Sequence, residues 1–125
     1  MRITNAVFAL TLGTLGLAAA CSSGSSNPSD GSAPQIQITA PLAGATVGGQ
    51  VSFDADVIDD FGVDVVHFYV DDTVLCTKGT PPYHCVWNTT ALPDQSTHVL
   101  KVDAMDVAKN LSFQTISVTV SRGTQ

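Results

Sequence analysis

Glutamate is missing altogether: the chain of 125 residues carries eleven acidic residues, every one an aspartate, against five lysines and arginines. The resulting formal charge of −6 at pH 7 repels phosphate backbones and anionic headgroups, which argues against a direct nucleic-acid or membrane-face role and leaves a lipid anchor as the expected link to the membrane. No window after Pro34 sustains a helical period, so a helix bundle is excluded. No phosphate-cradling glycine loop or dinucleotide glycine pattern is present, and no serine stands in a nucleophile-elbow context. The three histidines, His67, His84 and His98, are too dispersed for a metal triad. Most aspartates fall at corners, where burial does not raise a carboxyl pKa, so no acid and base pair stands out. These absences point to a protein that is not an enzyme and needs no cofactor.

What is present begins at the N-terminus. Arg2, an uncharged apolar run from Ala6 to Leu17, and the small residues Ala18 to Ala20 before Cys21 have the order of a secretory signal. The run is short, and rich in Gly and Thr, for a permanent span. LAAAC at Leu17 to Cys21 resembles the lipobox of bacterial lipoproteins, with Ala18 where that pattern usually has Leu. The resemblance implies cleavage after Ala20, leaving 1–20 as signal peptide. It also implies a diacylglycerol thioether on Cys21 and an acyl group such as palmitate on its new amino end. Two or more acyl chains anchor stably where one does not. Ser22 stands where an aspartate would favour inner-membrane retention, so the outer membrane is the expected location. Simple secretion is the competing reading.

From Ser22 to Pro34 the chain has no large apolar residue, which predicts a flexible tether over 21–34. About thirteen such residues reach on the order of 20 Å. Beyond it, alternation and β-branched residues recur between turn signals every eight to twelve residues, the mark of a sandwich or small barrel. Ile36 and Ile38 form a first strand, ended by Pro41, and LAGATVGG is a turn-rich connection. Val51 to Val57, Val65 to Val70, Thr73 to Cys76, Tyr83 to Trp87, His98 to Ala104, and Ile116 to Val120 supply the rest. That makes an all-β fold over 35–121: a seven-stranded, two-sheet antiparallel sandwich. In it Tyr83, Cys85 and Trp87 share one side of their strand.

The motifs ITAPLAGATV, DDFGV, VHFYVDD, PPYHCVWNTTAL, HVLKVDAMD and DVAKN, in this order from Pro34 to Val120, resemble the bacterial Ig-like domains (Big family) of surface and secreted proteins. Family members often read DG at Asp71 and Asp72, and AGN at Ala108 to Asn110. The inter-sheet cysteines of antibody domains have no counterpart here. The resemblance implies an Ig-like sandwich serving as a spacer, adhesion or binding module, without catalysis of its own.

Four groups of residues are candidates for chemistry. With Cys21 assigned to the anchor, Cys76 and Cys85 remain as a pair in an oxidising compartment. A bridge between them closes a loop of about ten residues and is worth roughly 2.5 to 3 kcal/mol; the rival is a metal or redox pair, which the spacing does not favour. Asp59, Asp60, Asp106 and Asn110 fall at one end of such a sandwich, where their oxygens can converge on calcium. The alternative is that these aspartates bond their own turns. Tyr69, Tyr83 and Trp87 make either a sugar-stacking platform or core. His98, at the start of an inward row, is expected to hold a neighbouring loop by a hydrogen bond. The ligand-binding residues are not legible. The expected function is a lipid-anchored cell-envelope lipoprotein presenting one Ig-like module to another envelope protein or a polysaccharide. The alternative is a structural or accessory subunit of a larger envelope assembly, docked by a sheet edge.

Overall fold

A computed structural model of the chain describes residues 31–123, and in it the alternating stretches are strands. They are β1 (Gln35–Ala40), β2 (Thr46–Val47), β3 (Gln50–Ile58), β4 (Val63–Val70), β5 (Thr73–Lys78), β6 (Tyr83–Asn88), β7 (Thr97–Asp106) and β8 (Leu111–Val120). They form two sheets, ordered β1-β3-β6 and β2-β8-β7-β4-β5. The signal segment and Cys21 lie outside the described residues.

Period-two patterning sorts the side chains between core and surface. In β3, Val51, Phe53, Ala55 and Val57 are buried while Ser52, Asp56 and Ile58 are exposed. Facing them from the other sheet are Val66 and Phe68 of β4, Leu100, Val102 and Ala104 of β7, and Val118 and Val120 of β8. Phe53 and Phe68 meet edge to face across the two sheets, ring centroids 4.9 Å apart, the arrangement aromatic quadrupoles favour. Tyr83, Cys85 and Trp87 are buried together.

The strand count is eight among the described residues, not the seven expected, and one pairing is parallel. The addition is β2, inside LAGATVGG, whose two residues pair with Thr119 and Val120 of β8. Two residues carry no periodicity, so only the partner reveals the strand. The chain is brought close enough by Gly48, where a Cβ would lie 2.2 Å from the Ser121 carbonyl oxygen. The last strand also begins at Leu111 instead of Ile116. Its first half inverts the usual pattern, with Leu111 and Phe113 exposed and Ser112 and Gln114 half-buried. The polar pair is spent on β1: Ser112 Oγ donates to the Pro34 carbonyl at 2.6 Å, and Ile38 N donates to Gln114 Oε1 at 2.6 Å. These bonds engage one β1 amide and the carbonyl just before the strand, so part of its outward edge is closed to another strand.

Three connections use left-handed backbone at residues other than glycine, one of them at Gln95 with φ of 65°. Asp71 and Asp72 have φ of 50° and 69°, and Lys109 has φ of 73°. The first pair suits the two-residue hairpin turn that matches strand twist. Asp and Asn tolerate this region through local hydrogen bonding, whereas lysine gains nothing from it.

Candidate functional site

The outer face of the three-stranded sheet carries a groove of about 690 Å³. Antiparallel register builds its floor: Gln37 on β1 lies opposite Asp56 on β3, and Asp54 on β3 lies opposite His84 on β6. All four share the parity that points away from the core, and Gln35 and Ile58 extend the floor at one end. Pro81 and Pro82 of the β5–β6 loop stand beside His84 as a wall. Beneath lies Tyr83, whose burial pushes its phenol pKa above the ordinary value. The Asp54 carboxylate is hydrogen-bonded to His84 Nδ1. Amides, carboxylates and an imidazole offer both donors and acceptors, and no lysine or arginine lines the groove. That set suits hydroxyl-rich, amide or cationic groups and disfavours anions.

Every histidine bonds an aspartate through Nδ1. His67 on β4 meets Asp103 on β7 at 2.9 Å, and His98 meets Asp71 at 2.6 Å. His98 also exchanges a hydrogen bond with Ser96 Oγ at 2.8 Å and packs edge-on against Trp87, centroids 5.5 Å apart. It thus holds the Asp71–Asp72 turn against the start of β7, the role expected of it. Asp71 accepts from Val99 N as well. Partial burial pushes its carboxyl pKa up, but the His98 hydrogen bond, the Val99 N–H and the imidazole charge outweigh that and hold it below the ordinary value.

Cys76 and Cys85 are joined in a disulfide, Cα atoms 6.4 Å apart. Because β5 and β6 are edge strands of different sheets, the bridge ties the two sheets together along one side as well as closing the local loop.

Asp59, Asp60, Asp106 and Asn110 do fall at one end, where Val107 N donates to the Gly62 carbonyl at 3.0 Å. The carboxylates of two of them turn inward to their own backbone. Asp59 Oδ2 accepts from Phe61 N and Gly62 N at 2.9 and 3.0 Å. Asp106 Oδ1 accepts from Ala108 N and Asn110 N at 2.9 and 2.8 Å, and its Oδ2 accepts from Asn110 Nδ2 at 2.9 Å. Among the described residues no three His, Cys, Asp or Glu side chains converge to hold a metal ion.

The sugar-stacking trio is not brought together. Tyr83 and Trp87 belong to the core, while Tyr69 lies on the outer face of the five-stranded sheet with Lys101 Nζ 4.3 Å from its ring centroid. Burial, then the hydrogen bond and charge of Asp103, raise the Tyr69 pKa. The groove residues Gln35, Gln37 and Asp56 were not singled out from sequence. The shared outward parity of QIQI and DAD was a usable signal, but only the pairing of β1 with β3 makes it one surface.

The bacterial Ig domain profile matches residues 34–102, from the chain's entry into β1 through most of β7. The chain belongs to the bacterial Ig domain family. Its sandwich resembles the fibronectin(III)-like modules of Clostridium thermocellum CbhA, at 22% identity and TM-score 0.61, over 72% of this chain and 100% of the module. It also resembles part of the endo-beta-1,4-mannanase of Thermotoga petrophila, at 18% identity and TM-score 0.60, over 75% of this chain and 21% of the enzyme. At these identities the likeness is one of fold. No curated protein sequence matches the chain. In this Ig domain the tight turns form with Asp72 and Lys109 at left-handed positions.

Proposed function

We propose that the chain is a lipid-anchored protein of the cell envelope, held in the outer membrane through Cys21, whose Ig domain binds a polysaccharide or protein in the groove of the three-stranded sheet. It has no catalytic activity. The observation that carries the binding role is the groove itself: about 690 Å³, a volume in the range of small-molecule sites, with convergent polar side chains from all three strands. The lipobox-like LAAAC carries the anchor. The structural-subunit reading, docking by an exposed sheet edge, stays as the alternative; at the β1 edge the Ile38 amide is already taken by Gln114, which leaves the other sheet edges as its candidates.

The test is a glycan array, and a pull-down from native envelopes, with the mature domain and two variants. Asp56→Ala with His84→Ala removes groove donors and acceptors, and binding is expected to fall at least tenfold. Thr115→Ala on the opposite sheet is the control and is expected to bind as the parent does. Equal loss in both, or none in either, sinks the assignment to the groove.

A further inference from the structure

Exposed apolar side chains gather at one end of the sandwich. Ile58 closes β3 and is 64% exposed, Phe61 in the β3–β4 corner is 50% exposed, Val107 in the β7–β8 turn 55%, and Leu111 at the start of β8 59%. The bond from Val107 N to the Gly62 carbonyl holds the two loops side by side, which brings Phe61 and Val107 together on the rim of this end. The opposite end also carries exposed apolar side chains, Leu42 at 71%, Val74 at 52% and Val99 at 44%, so what distinguishes the Phe61–Val107 end is the arrival of the chain's N-terminal side.

The chain arrives from its N-terminal side at this same rim. Asn110 Nδ2 donates to the Ser32 carbonyl at 3.3 Å and Ser112 Oγ to the Pro34 carbonyl at 2.6 Å. Ten residues separate Cys21 from Ser32, and even fully extended that stretch spans no more than about 40 Å. Whatever holds Cys21 therefore keeps the domain within that distance, and this end is the one the chain enters.

We propose that this end of the domain rests on the bilayer, with Phe61, Val107 and Leu111 entering the headgroup interface of a zwitterionic lipid surface. The proposal rests on the reading of Cys21 as the acylated anchor. Exposed apolar side chains bind lipid interfaces in proportion to the apolar area they bury there. The acidic residues at the rim set the lipid class. Asp59 and Asp106 turn their carboxylates into their own loops, Asp64 is paired with Lys109 at 3.1 Å, and Asp60 stays exposed. That balance tolerates zwitterionic headgroups and opposes anionic ones. Docked this way, the module stands upright, with the groove on its flank and the Asp71–Asp72 turn farthest from the membrane.

The test supplies the anchor chemically. With Cys76 and Cys85 bonded to each other, Cys21 of the mature chain couples selectively to a maleimide phospholipid in phosphatidylcholine vesicles with brominated acyl chains. A Phe61→Trp variant reports contact; the native Trp87 is buried and sets the baseline. The expected result is at least twofold bromolipid quenching of the Phe61→Trp signal, reduced by adding phosphatidylglycerol at low salt and abolished by Val107→Asp with Leu111→Asp. Quenching no greater than that of the coupled parent overturns the proposal. Intact mass of the protein from native membranes tests the anchor separately. An unacylated Cys21 removes the native setting on which docking rests and overturns it too, even where the coupled protein is quenched.

Discussion

Breaking the Cys76–Cys85 bridge is the perturbation whose cost is most directly worked from the structure. The cysteines are nine positions apart, so the bridge closes a loop of about ten residues, and chain entropy assigns about 2.7 kcal/mol to such a constraint on the unfolded state. A domain of this size loses about 4 to 8 °C in Tm per kcal/mol, which predicts a fall of roughly 10 to 20 °C. Two routes to the same bond separate its parts. Dithiothreitol leaves both sulfurs in place, so reduction reads the lost constraint. The Cys76→Ala, Cys85→Ala double variant also empties space in the core, because Cys85 is buried among Tyr83, Trp87 and Phe53. It is therefore expected to be less stable than the reduced parent by about 1 kcal/mol. Urea unfolding followed by Trp87 fluorescence gives both numbers at constant pH. A reduced protein within 0.5 kcal/mol of the oxidised one, with ~0.5 kcal/mol a typical measurement margin, would refute the idea that the bridge constrains the chain and staples the sheets.

Lysine at position 109 adopts φ of 73°, and its pairing with Asp64 is exposed on both sides. Lys109→Gly is accordingly expected to stabilise by about 1 kcal/mol, relief of left-handed strain exceeding an exposed ion pair's worth; chemical denaturation showing destabilisation would refute this. The Asp71 carboxyl, held below its ordinary value of 3.8, contributes stability that is present above that pH and lost as acid titrates through the lower folded value. His98→Gln should move the Asp71 titration upward, seen by carboxyl NMR, and shrink that acid dependence. An unchanged Asp71 titration would mean that His98 does not act on it. Phe53→Ala, which removes the ring packed edge-on against Phe68, should cost about 3 to 5 kcal/mol, and a loss under about 1 kcal/mol in urea would contradict the placement of the core.

Much of the sandwich was legible because period-two patterning is local. Val51 to Val57 and Leu100 to Ala104 reveal their core faces without knowledge of their neighbours, and one parity suffices to bury Tyr83, Cys85 and Trp87 together. The features that escaped depend on what lies across space. Thr46 and Val47 are a strand only because β8 ends beside them. The start of β8 at Leu111 escaped because Leu111 and Phe113 face outward while Ser112 and Gln114 turn in to bond β1 and the carbonyl before it. The cysteine spacing signals a bridge, but that it joins two sheets follows from topology alone. The groove is the clearest case: Gln37 and Asp56 are ordinary surface residues in their own strands and become one site through register. Composition likewise draws the tether up to Pro34, since it cannot register that the Ser32 and Pro34 carbonyls are taken up by β8 and the turn before it.

The account turns on an Ig domain held to a membrane by its first mature residue, and intact mass spectrometry of the protein extracted from native membranes tests that most directly. It predicts a chain that begins at Cys21 and carries a thioether-linked diacylglycerol and an amide-linked acyl group. A chain that begins at Met1, or one whose Cys21 thiol is free, would contradict it.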